Sequence, residues 1–210
     1  MVIIDFDDTL FDTQAFKQAR LEAVQRLGVS EEEYWETYRQ ARSGSGGFMT
    51  YSDERHAEML TARGYNYCEI LATLQETTGD AVKNFLFEDT VLFLKNIKAI
   101  NQPMVLLSLG NPGFQELKTK GSGIDKYFDR MFFVHDTKMH VLAEFFKKVT
   151  ADGVWFINDK IEETQKLKKT FPKLKPILKV SERFEISEYK ESGFPYFDFL
   201  EDIGKYIKKS

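Results

Sequence analysis

The chain has 210 residues, 42% of them hydrophobic and 30% charged, with a formal net charge of -4. That is enough apolar mass for one well-buried core plus a smaller accessory unit, and the acidic balance gives no whole-protein attraction for nucleic acid or anionic lipid. A single cysteine, Cys68, excludes an internal disulfide framework and a thiolate zinc cluster.

The elements follow in chain order. Val2-Ile3-Ile4 is a short apolar run that leads directly into acids, and it reads as a buried strand. Residues 13–87 contain no convincing strand and read as successive helices. The first, over 14–27, stops at Gly28. Ser30 with Glu33 forms a capping box for the second. Gly44, Gly46 and Gly47 then break the pattern, as a flexible piece reaching the pocket or a plain surface loop. Two further helices start near Ser52 and Asn66 and stop at Gly64 and Gly79.

Four more apolar runs follow: Met104-Val105-Leu106-Leu107, Met131-Phe132-Phe133-Val134, Val154-Trp155-Phe156-Ile157 and Pro176-Ile177-Leu178. Each is too short for a core helix and suits a strand buried on both faces of a parallel sheet. Helical stretches over 114–120 and 138–149 lie between them, the second with Thr137 as its N-cap and an apolar stripe ending at Val149. Alternating strands and helices predict a doubly wound, Rossmann-like α/β fold with a helical insert after its first strand. The core then spans 1–12 and 88–210, and the insert spans 13–87. The Lys-rich stretch 166–179 reads as a solvated helix face and loop. Cys68 reads as a buried or half-buried helical thiol, and His56, His135 and His140 as surface or capping residues. Arg20, Arg39, Arg42 and Arg55 read as solvated, though any could meet a substrate carboxylate or second phosphate. No leader or membrane-length segment appears, so a cytoplasmic protein is expected.

Chemistry concentrates at strand ends. Asp5-Phe6-Asp7-Asp8-Thr9 puts three carboxylates within four positions at the carboxyl end of the first strand, where open α/β sheets bind ligands. Their mutual repulsion calls for a divalent cation, and magnesium accepts one or two carboxylates plus waters and phosphate. The second strand ends in Ser108, and Leu109-Gly110-Asn111 follows with backbone N–H groups suited to phosphate. Lys138 opens the helix after the third strand, within reach of the same phosphate. The fourth strand ends in Asn158-Asp159, with Glu162 and Glu163 close behind.

With Asp5-Phe6-Asp7-Asp8-Thr9, Ser108, Lys138 and Asp159 in that order, the sequence resembles the haloacid dehalogenase-like hydrolase superfamily over nearly its whole length. The resemblance implies that 13–87 is a cap domain. It implies that Asp5 attacks phosphorus, that Asp7 is the general acid and base, and that Thr9 holds the loop. Magnesium would be held by Asp5, the Asp7 carbonyl and Asp159, and phosphate by Ser108, Leu109 and Lys138. Asp7 would have to be neutral beside an ionised Asp5. The fourth motif departs from the family's pattern: Asn158 is an outer ligand or a turn residue, and either Glu162 or Glu163 stands for a second acid. The implied activity is magnesium-dependent hydrolysis of a small phosphorylated metabolite by a monomer or weak homodimer, independent of nucleic acid and membrane. A phosphomutase of the β-phosphoglucomutase type and a non-catalytic binding protein on the same fold are the alternatives. A dehalogenase would not need Asp7, because halide leaves without a proton.

Overall fold

A computed structural model describes residues 1–44, 48–79, 81–148 and 153–210. Gly46, Gly47 and Val149, singled out above, lie outside the described residues. Six parallel strands form one sheet: β1 (Val2–Ile4), β2 (Met104–Leu109), β3 (Arg130–Val134), β4 (Val154–Asn158), β5 (Leu174–Lys179) and β6 (Tyr196–Phe197). Their spatial order is β3-β2-β1-β4-β5-β6. The order reverses at β1, which pairs with β2 on one side and β4 on the other. The crevice beyond the ends of β1 and β4 is therefore the natural ligand position in such a sheet.

Side chains alternate across the sheet, so each strand serves two cores. Val2, Ile4, Met104, Leu106 and Ile157 join one apolar cluster. It is completed by Phe93, Leu94 and Ile97 of α5 (Thr90–Lys98) and Leu200, Ile203 and Ile207 of α10 (Leu200–Lys209). Ile3, Val105, Leu107, Val154 and Phe156 face the other way. They pack on Leu142 and Phe145 of α7 (Met139–Lys148) and Leu167 of α8 (Ile161–Thr170). Burial on both faces is why these strands read as short continuous apolar runs.

The expected helical interval holds α1 (Thr13–Gln25), α2 (Glu31–Arg42), α3 (Asp53–Thr61) and α4 (Tyr67–Thr78). Ser30 and Glu33 form the reciprocal capping box, and Ser52 and Asn66 cap α3 and α4. Gly28, after α1, has φ +88°, the left-handed conformation that stops a helix there. These helices share their own core of Leu21, Val24, Tyr34, Ala57, Leu60, Ile70 and Leu74. An aromatic chain links that bundle to the sheet: Phe16 lies 5.3 Å from Phe11, 5.4 Å from Phe85 and 6.4 Å from Phe114 between ring centroids. Two backbone bonds, Asp12 N–H to Phe85 O and Phe87 N–H to Leu10 O, tie the two ends of the interval together.

Several expectations are corrected. Arg20 and His56 are 1% and 0% exposed rather than solvated. Arg20 pairs with Asp53 and donates to Tyr51, Leu74 O, Thr77 and Thr78, so its charge is satisfied without water. His56 sits between Tyr51 Oη (3.0 Å) and Thr37 Oγ1 (3.1 Å). Cys68 is exposed. Lys179, at the end of β5, is buried, and its ammonium donates to Val180 O and lies over the Phe87 ring. The helix α9 (Ile186–Glu191), α10 and the two-residue β6 add to the expected elements. No helix among the described residues is long and apolar enough to cross a membrane.

Candidate active site

Asp5 follows β1 directly, and its N–H donates to Ile157 O, which fixes its backbone beside β4. The chain then turns sharply. Thr9 and Leu10 N–H both donate to Phe6 O, Asp8 N–H donates to Phe11 O, and Asp8 adopts φ +58°. Left-handed backbone is uncommon outside glycine, although Asp tolerates it better than most residues. Two contacts hold Asp8 in place: its carboxylate accepts from Thr13 N–H and pairs with Arg183 at 2.6 Å. The turn is thus built from backbone bonds and Asp8. The buried Thr9 hydroxyl has no protein partner, so it does not brace the loop as expected.

Lys138, 0% exposed, reaches across the strand ends from the start of α7. Its ammonium donates to Asp5 Oδ1 (2.8 Å), Glu163 Oε2 (2.9 Å) and Asn158 Oδ1 (3.2 Å). An ammonium has three N–H groups, and all three are used. Lys138 therefore orients Asp5, and the expected phosphate contact would need one of these bonds to be exchanged. Burial disfavours its charge, but Asp5 and Glu163 outweigh burial and hold it firmly protonated. The departures in the fourth motif resolve here as well. Asn158 Nδ2 donates to Glu163 Oε2 and Thr164 Oγ1, while Glu162 points to solvent. Glu163, not Glu162, belongs to the cluster, as Lys138's second anion.

Asp5 Oδ2 and both carboxylate oxygens of Asp159 are buried without any partner, as are the hydroxyls of Ser108 and Thr9. Burial and then the Asp5 charge push Asp159 up to about 7. Burial raises Asp5 too, with Lys138 pulling the other way. Two carboxylates that disfavour each other's ionisation, with three oxygens unspent, fit a hard cation well. No group of three or more His, Cys, Asp or Glu able to hold a metal occurs among the described residues. A pair of carboxylates with unspent oxygens could hold a hard cation that keeps several of its waters.

Asp7 is the largest departure. Lys118 and Gln115, from α6 (Pro112–Gly121), occupy its carboxylate: the ammonium lies 2.5 Å from Oδ1 and Gln115 Nε2 2.6 Å from Oδ2. Thr13 Oγ1 adds a bond of 3.3 Å. Burial pushes Asp7 up, but Lys118 and then Gln115 carry it below the usual carboxylate value. The two acids are separated in pKa in the sense opposite to the one expected: Asp5 is raised and Asp7 lowered. Lys118 is 3% exposed, with its ammonium 5.1–5.8 Å from the centroids of Phe6, Phe11, Phe16 and Phe114. Both oxygens of the Asp7 carboxylate already accept bonds, which makes its carbonyl the freer ligand for a cation.

Gln115 owes its position to Gly110. A Cβ on Gly110 would lie 2.4 Å from Gln115 Nε2 and 2.9 Å from its Cγ. The same region corrects another expectation, because Gly110 N–H is taken by Val134 O and Asn111 caps α6. Leu109 lines the cavity in front of Asp7. Sequence reading missed Lys118, Gln115 and Arg183. Phe114, Gln115 and Lys118 share one helix face by their i, i+1 and i+4 spacing, and two polar residues on a buried face were a usable signal. Arg183 lies outside helices and strands and gave no periodic signal.

A family model described as haloacid dehalogenase-like hydrolase matches residues 1–154. The chain belongs to that family. Among solved structures, a Burkholderia xenovorans LB400 protein named a haloacid dehalogenase-like hydrolase is 19% identical, with a TM-score of 0.69 over 97% of this chain and 94% of its own. The L-2-haloacid dehalogenase of Xanthobacter autotrophicus is 18% identical, with a TM-score of 0.63 over 99% and 98%. A Thermotoga maritima protein named a β-phosphoglucomutase is 16% identical, with a TM-score of 0.65 over 99% and 98%. Identities this low show a shared hydrolase-family fold and leave the choice between carbon–halogen and phosphoester chemistry to the site. No functionally curated protein matches the chain.

Proposed function

We propose that the chain is a magnesium-dependent phosphatase acting on a small phosphate monoester through an aspartyl-phosphate on Asp5. The observation that carries this reading is the set of three buried, unpartnered carboxylate oxygens on Asp5 and Asp159. Displacing halide from carbon needs the Asp5 nucleophile and a base for the water that cleaves its ester, but neither an acid such as Asp7 for its leaving group nor a cation between Asp5 and Asp159. Asp5, Asp159 and the Asp7 carbonyl would hold the magnesium, which would supply charge neutralisation and alignment of the phosphoryl group.

The chain's own residues supply the rest. Lys138, anchored by Glu163 and Asn158, aims Asp5 and favours its ionised form against the effect of burial. Asp5 attacks phosphorus as the ester P–O bond breaks, and the leaving alkoxide takes a proton from Asp7. Water then attacks the aspartyl-phosphate, Asp7 accepts its proton, and free phosphate and Asp5 are restored. Asp7 bound to Lys118 is the base form, ready for the second step. The first step requires it to leave Lys118 and carry a proton. Ser108 and the Leu109 backbone face the phosphate oxygens. The helices within 13–87 serve as the cap that admits water for the second step only, closing on the core made of 1–12 and 88–210.

The test is a paired assay on the pure protein: p-nitrophenyl phosphate with and without magnesium, and 2-chloropropionate with halide detection. Magnesium-dependent phosphate release, lost in Asp5→Asn, is expected. Halide release without phosphatase activity would reject the reading.

A further inference from the structure

A cavity of about 90 Å³ opens between the catalytic turn and the helical interval. A water needs ~10–15 Å³ by this kind of measure, so the cavity takes about six to nine water-sized groups. That is room for a short carbon link and one small anionic group, with the scissile phosphate at the cavity's edge beside Asp5, which is not among its lining residues. Its lining is unusually one-sided in charge. Lys17, Arg20, Arg42, Lys118, Lys160 and Arg183 face it, with Asp7 as the single acid. Three of the six are neutralised: Arg20 by Asp53, Lys118 by Asp7 and Arg183 by Asp8.

Lys17, Arg42 and Lys160 form no ion pair among the described residues. They come from opposite sides. Lys160 follows Asp159 directly beyond the end of β4 and lines the cavity together with Asp7, which puts it at the phosphate end. Lys17 belongs to α1 and Arg42 to the last turn of α2. The Lys17 ammonium lies 5.6 Å from the centroid of the Tyr38 ring, which also lines the cavity. Burial, then Arg183 and Arg42, disfavour the Lys17 charge, with Asp8 and Asp7 only partly compensating. Like charges gathered at a small cavity repel one another until an anion joins them. The scissile phosphate meets the Lys160 end and leaves the other end uncompensated.

Resting on the phosphatase reading, we infer that the substrate is a small phosphate monoester carrying a second anionic group, a carboxylate or another phosphate, which Lys17 and Arg42 recognise. Binding energy from such a remote group can orient the ester for attack by Asp5, and Arg42 offers a planar fork for either anion.

The test compares kcat/KM for ethyl phosphate, 2-carboxyethyl phosphate and ethylene glycol bisphosphate with wild type, Lys17→Gln, Arg42→Gln and Arg42→Lys. Wild type is expected to prefer one of the two charged esters over ethyl phosphate by about 100-fold, and which one identifies the second anion. Each Gln variant should shrink that ratio about 10-fold or more, and Arg42→Lys, which keeps the charge but not the fork, should lose less than Arg42→Gln. Ratios near one in wild type, or Gln variants that slow all three esters in parallel, would overturn the inference while p-nitrophenyl phosphate turnover keeps the phosphatase reading alive. If no phosphate ester is turned over, calorimetry with ethylphosphonate and 2-carboxyethylphosphonate decides the matter separately. At least 10-fold tighter binding of the carboxylated probe, lost in Arg42→Gln, supports the anion site, and equal affinities reject it.

Discussion

Replacing Lys118 with Met tests whether Asp7 is held as an ionised base. Met keeps an unbranched, flexible side chain one atom shorter among the four phenylalanine rings that the ammonium faces, so the change is chiefly loss of charge. Removing one partner of a buried ion pair costs about 3–5 kcal/mol. The two ends of this pair are not equally buried, with side-chain exposures of 4% for Lys118 and 19% for Asp7. Water can reach the stranded carboxylate, so a loss of about 2–3 kcal/mol at pH 7 is expected. For a chain of this size that lowers Tm by roughly 4–12 °C. The sign with pH follows from the depressed Asp7 value. An acid lowered in the folded state adds stability above its unfolded value of about 3.9, and this is lost as pH falls through the folded value. The gap between wild type and Lys118→Met should therefore be full at pH 6–7 and close below about pH 4. Denaturant titrations across that range, with Asp7→Asn and the double variant, measure it. A coupling energy near zero, or a gap that does not narrow as pH falls below about 4, would show that Asp7 is not held by the Lys118 charge.

Other consequences follow from the same geometry. Asp159→Asn should stabilise the metal-free protein at pH 8, on the order of 2–4 kcal/mol, because Asp159 is raised to about 7 beside Asp5. The gain should shrink as pH falls below 7 and be gone only near pH 4, where the unfolded side chain is protonated as well, and the magnesium-induced rise in Tm should vanish. An undiminished magnesium shift would move the cation elsewhere. Arg20→Met strands Asp53 at 4% side-chain exposure and should cost about 3–5 kcal/mol, read by chemical unfolding. A loss below 1 kcal/mol would contradict the buried network. His56 is lowered from 6.5 to about 3 by burial and then Arg20, so the unfolded chain binds a proton there that the native state does not. Stability should drop by about 1.4 kcal/mol per unit between pH 6 and 4 from this group alone, and His56→Gln should flatten that slope. Parallel curves for the two proteins would refute a buried neutral imidazole.

Local order along the chain determined more of this protein than did composition. Ile3 and Ile4 running straight into Asp5, and Val154 to Ile157 into Asn158-Asp159, announced buried strands ending in acids, because a strand covered on both faces must be apolar throughout and can turn polar only at its end. The capping box at Ser30 and Glu33 was equally legible, since its bonds span only three residues. What tertiary structure alone decided is the partner of each charge. Lys118 lies 111 positions from Asp7, and Arg183 is still more remote from Asp8 in sequence. Lys138 spends its three N–H groups on Asp5, Asn158 and Glu163, and nothing in the local sequence says which anions surround an ammonium. Arg20 and His56 looked solvated because burial of a charged or polar side chain depends on partners supplied by other helices. The acid-to-acid ordering followed the same logic. Asp5 and Asp7 sit two residues apart on one turn, yet burial raises one and a lysine from α6 lowers the other, because a carboxylate's pKa is set by what folding places around it.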